Sequence, residues 1–268
     1  IHTGGSWVWD GMTVNTAGDM NGDGYDDLLF AGSWFAGDDV RFESGKTWVV
    51  FGGSKSTMDG TTETTDLNGS DGFLMQGISI EDLLGGSLST AGDINGDGYD
   101  DIIIGARRGD AGGGNSGESY VIFGKSGGFS AELDLAKLNG SNGFRLDGAS
   151  SGDQSGRSVS TAGDINGDGY DDLLVGAPYA DPNDHSNAGT AYVIFGKKNG
   201  YTASKDLDSL TDKQGFTIEG IDTGDQAGFA VDRAGDVNRD GYDDIIIGAP
   251  GAANSKGESY VIFGGDFT

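Results

Sequence analysis

The chain has 268 residues and carries 16 Lys+Arg against 43 Asp+Glu, a formal net charge of -27 that repels phosphate backbones and anionic lipid and excludes nucleic acid as a partner. Its 52 glycines beside only 3 prolines, without a strict triplet period, exclude collagen and require many turns. With no cysteine it has neither a disulfide frame nor a thiolate metal site, and no apolar stretch approaches the ~18 residues of a spanning helix, which argues against membrane insertion.

The opening Ile1-His2-Thr3-Gly4 has no basic segment followed by an apolar core, so an export signal would have been removed or would lie outside this sequence. From there one phrase recurs about every 72 residues: AGDMNGDGYDDLLFAG from Ala17, AGDINGDGYDDIIIGA from Ala91, AGDINGDGYDDLLVGA from Ala162 and AGDVNRDGYDDIIIGA from Ala234. A second phrase follows each copy, at Val49 to Gly52, Val121 to Gly124, Val193 to Gly196 and Val261 to Gly264. A third, Gly-Phe followed by alternating residues, stands at Gly72-Phe73, Gly143-Phe144 and Gly215-Phe216.

Within each period short runs read as strands between Gly, Asp, Ser and Asn turns, and no stretch keeps a helical apolar rhythm. In the third repeat the predicted strands are Ser158 to Asp164, Asp172 to Gly176, Ala191 to Phe195 and Gly215 to Glu219. The second strand is apolar at consecutive positions, as in Ile102-Ile103-Ile104, which suits a strand covered on both faces. An all-β chain of stacked four-stranded units at a fixed period is expected to form a β-propeller. The expected single domain, 1–268, divides into blades 5–76, 77–147, 148–219 and 220–268, with residues 1–4 available to complete the last.

The acidic phrase places side-chain oxygens at loop positions one, three, five and nine, a glycine for the sharp turn at six, and a backbone carbonyl at seven. Hard oxygen donors in this number suit Ca²⁺. The candidate ligands are Asp19, Asn21, Asp23, Tyr25 and Asp27; Asp93, Asn95, Asp97, Tyr99 and Asp101; Asp164, Asn166, Asp168, Tyr170 and Asp172; and Asp236, Asn238, Asp240, Tyr242 and Asp244. About four structural Ca²⁺ per chain are expected, because carboxylates held in one small loop repel unless a cation joins them. The competing reading is that Asp-Gly and Asn-Gly mark solvated hairpin turns.

With these residues in view, the sequence resembles the FG-GAP repeat family, the β-propeller of integrin α subunits and of many bacterial surface and secreted proteins. The resemblance rests on Phe51-Gly52, Phe123-Gly124, Phe195-Gly196 and Phe263-Gly264, on Gly176-Ala177-Pro178 and Gly248-Ala249-Pro250, and on the four acidic loops between them. The pattern departs at Ala31-Gly32-Ser33 and at Gly105-Ala106-Arg107, which spares every ligand position. Integrin α propellers have seven blades, so a closed four-blade ring, a part of a larger propeller and a ring completed by self-association of two chains all stay open.

Arg108-Gly109-Asp110 matches the tripeptide that integrins recognise in their ligands, and Asn68-Gly69-Ser70 and Asn139-Gly140-Ser141 fit the glycosylation sequon, although loop coincidence and turn chemistry account for all three. With His2 and His185 the only histidines and no second one at ligand spacing, a zinc or iron site is not expected, no histidine-based triad supports hydrolysis, and no catalytic residues are assigned. The resemblance implies a non-enzymatic, extracellular or cell-surface adhesion or protein-interaction module. A glycan-binding propeller and the accessory propeller of a larger secreted hydrolase are the alternatives. The protein or glycan ligand is expected on the face opposite the calcium loops, where the loops around 32–46, 106–118, 177–189 and 249–257 carry Trp34, Phe35, Arg41, Arg108, Tyr179 and His185.

Overall fold

The computed structural model describes residues 12–32, 44–54 and 67–267. Their regular structure is almost wholly strand, and none of their helices is long and apolar enough to cross a membrane. The first sheet contains β1 (Met12–Gly18), β2 (Asp27–Gly32), β3 (Lys46–Val50) and β4 (Gly72–Gln76), each antiparallel to the next. The second contains β5 (Leu84–Gly92), β6 (Asp101–Ala106), β7 (Glu118–Ile122) and, after the two-residue β8 (Glu132–Leu133), β9 (Gly143–Asp147). The third contains β10 (Ser158–Gly163), β11 (Asp172–Ala177), β12 (Thr190–Ile194) and, after β13 (Ser204–Asp206), β14 (Gly215–Glu219). The fourth contains β15 (Ala230–Gly235), β16 (Asp244–Ala249) and β17 (Glu258–Ile262). The predicted strands of the third repeat are therefore present, shifted by no more than one residue at an end.

The sheets stack in chain order. One apolar cluster joins Leu29, Val49 and Phe73 of the first sheet to Ile102, Ile104 and Ile122 of the second. The next joins Ile103, Val121 and Phe144 to Leu173, Val175 and Ile194, and a third joins Leu174 and Val193 to Ile245 and Ile247. The alternation within one strand, with Ile103 facing one neighbour and Ile102 and Ile104 the other, explains why β6 and β11 are buried at every position. The stack is not closed among the described residues: Val14 of the first sheet is 71% exposed, and Ile246, Val261 and Phe263 of the fourth are exposed as well. Residues 1–4, expected to complete the last sheet, lie outside the described residues.

Two strands go beyond the predicted set. β8 runs parallel to β4, pairing Leu74 with Glu132, and β13 runs parallel to β9, pairing Arg145 with Ser204. Each belongs to the connection between the third and fourth strands of one sheet and reaches back to edge the preceding sheet. An aromatic residue leads each of these straps: Phe129 stacks on Phe73 at 4.5 Å, and Tyr201 stacks on Phe144 at 4.8 Å. A leucine ends each, with Leu135 and Leu207 buried between sheets.

Candidate metal centre

Every acidic phrase forms the turn between the first and second strands of its sheet, entered through a β-bulge at Gly18, Gly92, Gly163 or Gly235. The bulge glycine has positive φ, and at Gly92 a Cβ would stand 2.2 Å from the Asp171 carboxylate of the next loop, so both conformation and space demand glycine. Inside the first loop the Asp19 carboxylate accepts the N–H groups of Asp23 (3.0 Å) and Gly24 (2.9 Å), while Asp23 accepts that of Tyr25 (3.0 Å). The Asn21 carbonyl also accepts the Asp23 N–H, at 2.8 Å. The third and fourth loops repeat all of these bonds through Asp164, Asn166 and Asp168 and through Asp236, Asn238 and Asp240.

The ninth-position aspartate opens the second strand and is buried in all four loops. One oxygen of Asp101 accepts the Ile94 N–H (3.2 Å) within its loop, and the other accepts the Gly124 N–H (2.8 Å). Asp27, Asp172 and Asp244 bind Gly52, Gly196 and Gly264 in the same way. The acidic phrase and the Phe-Gly phrase are thus two halves of one contact, closed by a buried carboxylate. The glycine leaves the necessary room, since a Cβ on Gly124 would lie 2.3 Å from the Asp100 carbonyl oxygen. Burial, opposed by the two N–H bonds and reinforced by Asp97 and Asp93, pushes Asp101 up to about 9. Asp172 is pushed up to about 8 and Asp27 to about 6, again chiefly by burial and with their own loop aspartates adding to it.

Positions seven and eight lock one loop to the next. The Asp100 carboxylate accepts the Asp19 N–H at 2.7 Å, Asp171 accepts that of Asp93 at 2.9 Å, and Asp243 that of Asp164 at 3.1 Å. The Tyr99 ring lies against Gly22, Tyr170 against Gly96 and Tyr242 against Gly167. Asp100, Asp171 and Asp243 were not among the sequence candidates. Their signal was the doubled Asp-Asp of every phrase, only one member of which the ligand spacing uses.

The FG-GAP repeat family model matches residues 84–122, 155–194 and 228–262, which are the first three strands, with their acidic turn, of the second, third and fourth sheets. This is an FG-GAP repeat protein. Among its relatives, integrin alpha pat-2 of Caenorhabditis briggsae is 32% identical over 263 residues, covering 92% of this chain and 18% of that protein. Integrin alpha-PS2 of Drosophila melanogaster is 31% identical over 192 residues, covering 70% of this chain and 12% of that one. Phosphatidylinositol-glycan-specific phospholipase D of Bos taurus is 34% identical over 177 residues, 64% of this chain and 20% of the enzyme. The chain thus spans at most a fifth of the length of these three relatives. The first sheet falls outside the matched FG-GAP segments, and it is the one whose second strand ends Ala31-Gly32 where the others end Gly-Ala.

Among the described residues no three carboxylates gather around one point; those of the FG-GAP loops are turned to backbone N–H groups instead. The donor chemistry nevertheless fits a hard cation: each loop offers only oxygens, and in the second the Asn95 carbonyl is buried without a hydrogen-bond partner. Of the residues expected at the partner face, Trp34, Phe35 and Arg41 lie outside the described residues. Arg108, Tyr179 and His185 stand on connections between second and third strands, at the end of the sheets away from the acidic turns. There the Arg108 N–H meets the Asp82 carbonyl, and His185 Nδ1 lies 2.6 Å from the Ile221 carbonyl. In the Arg-Gly-Asp segment Gly109 is buried and Asp110 accepts the Asn115 N–H at 2.7 Å, a folded turn. Asn68 and Asn139 each accept both the N–H and the hydroxyl of the serine two residues on, the turn role read from sequence.

Proposed function

We propose that the chain is a calcium-stabilised β-propeller module of four FG-GAP blades that serves adhesion or protein recognition outside the cell or at its surface, without catalysing a reaction itself. The observation that carries the calcium reading is the buried ninth-position carboxylate: Asp101 and Asp172 have their own loop aspartates as the nearest charges and are driven toward protonation by burial. A bound divalent cation replaces that proton and offsets the repulsion. Asp93, Asn95, Asp97 and Asp101, with the Tyr99 carbonyl, would hold it in the second loop, and the equivalent residues in the other three.

Similarity to integrin alpha chains supports the adhesion-type role. Similarity to the phospholipase supports the second reading, an accessory propeller joined to a hydrolase. The calcium reading is tested by thermal unfolding of the full chain in millimolar calcium and after exhaustive chelation, with bound metal counted by elemental analysis. A higher midpoint with calcium and about four ions per chain are expected; metal-free protein that gains nothing from added calcium refutes it.

A further inference from the structure

The end of the sheets away from the acidic turns carries a concentration of positive charge in an otherwise acidic chain. Three of the seven arginines, Arg107, Arg108 and Arg157, stand there. Arg145 and Arg233 pair with Asp147 and Asp243, but among the described residues no carboxylate pairs with any of these three. They stand on the second and third sheets, each of which has a sheet packed on either side, so their unpaired state does not come from an end of the stack.

The repeat shows that two of them belong to a matched exchange. Gly86, Arg157 and Phe229 are equivalent, each preceding the first-strand residue that pairs with Gly105, Gly176 or Gly248. Arg107, Pro178 and Pro250 are equivalent too, each following the alanine that ends its second strand. Where the third and fourth repeats combine proline with a large first-strand residue, the second combines arginine with glycine. The glycine leaves room for the arginine, since a Cβ on Gly86 would stand 3.0 Å from Arg107 Nη1. The head of β5 in turn touches that of β10, where the Ser87 hydroxyl donates to the Gly156 carbonyl at 2.7 Å, so Arg107 and Arg157 converge. Arg157 lies over the Phe229 ring, its guanidinium carbon 4.3 Å from the ring centre, and its Nε is buried without an acceptor. Burial, followed by the charges of Arg157 and Arg108, lowers Arg107 from its ordinary value, and Tyr179 alone acts the other way. All three arginines and Tyr179 stay partly exposed, so a solute reaches the cluster.

We propose that Arg107, Arg108 and Arg157 form a binding site for a carboxylate. The guanidinium edges match its planar pair of oxygens with charge-assisted hydrogen bonds. A single negative charge enters where the chain's net charge of -27 would repel a sulfated or phosphorylated polyanion. The site adds to the recognition reading the chemical group that this face takes, and rests on that reading only for what carries the group. The carboxylate belongs to a free acid or to an acidic side chain, and the test separates the two.

The test follows the arginine Nε–H resonances of the isotope-labelled full chain in millimolar calcium, while sodium acetate or acetyl-Gly-Asp-Gly-amide replaces chloride at constant ionic strength. Saturable shifts of Arg107 and Arg157 are expected; tighter binding of acetate identifies a free acid, and tighter binding of the peptide an acidic side chain. The decisive variants install residues that the repeat already carries at these positions, Arg107→Pro after Pro178 and Arg157→Phe after Phe229. Each should weaken binding about tenfold or more, whereas Arg239→Ala on an acidic turn should leave it unchanged. If either fails to fold, Arg107→Lys and Arg157→Lys, which keep the charge and lose the fork, should weaken binding instead. Absence of saturable shifts with both probes, binding by the folded variants equal to that of the unaltered chain, or sulfate binding as tightly as acetate overturns the proposal. Because the probes need no partner protein, a negative result refutes this site without touching the recognition reading, which a recovered binder tests by itself.

Discussion

Removing calcium should reverse the pH dependence of stability, and the structure states how steeply. Asp101 is raised from 3.8 to about 9 and Asp172 from 3.8 to about 8 in the folded, metal-free protein. Above pH 4 the unfolded chain has released these protons while the folded chain still holds them. The folded state therefore binds more protons, and stability falls as pH rises toward the folded values. Each group contributes a slope of about 1.4 kcal/mol per pH unit. Asp27, Asp82 and Asp153 are raised only to about 6, so over the interval from pH 6 to 8 Asp101 and Asp172 dominate, with Asp171, also raised by burial, acting in the same direction. Across it the chelated protein should lose up to about 5 kcal/mol. A bound cation holds the carboxylates ionised, so in millimolar calcium the slope should flatten or change sign. Urea unfolding at pH 6, 7 and 8, with and without a chelator, measures both curves. Chelated protein whose stability is constant or rises over that interval refutes the argument.

The remaining expectations are more local. Leu207→Ala leaves a cavity under the second strap and should cost about 2–5 kcal/mol, read from the denaturation midpoint; a loss under 1 kcal/mol would show that the strap is not part of the core. Gly196→Ala places a methyl 2.2 Å from the Asp171 carbonyl oxygen and 2.9 Å from that of Ile94. It should destabilise by about 1–3 kcal/mol or more, and a stability equal to wild type would refute the close approach. Asp168→Ala should lose one bound ion per chain yet cost the chelated protein only about 0.5–1.5 kcal/mol; unchanged metal stoichiometry would remove Asp168 from the ligand set. Arg108→Ala and Tyr179→Ala should weaken a binder recovered by pull-down, whereas Arg239→Ala on an acidic turn should not; the opposite pattern would move the binding face.

The sequence by itself determined the strands and the acidic turns, because both depend on neighbours in the chain. Consecutive isoleucines make a strand covered on both faces, and an aspartate immediately before a Gly-Tyr step accepts the tyrosine N–H and closes its own turn. The Phe-Gly phrase was visible as a repeat, but its purpose was not, since the Gly124 N–H finds Asp101 only once the first and third strands flank the second. The division of labour in the Asp-Asp pair was equally hidden: Asp101 turns into its own sheet while Asp100 crosses to the preceding loop. Tertiary structure alone decided which carboxylates are raised, because desolvation depends on what packs over them. It also decided the straps, whose two or three paired residues are too few for a local signal and are held by a leucine buried between sheets far apart in sequence.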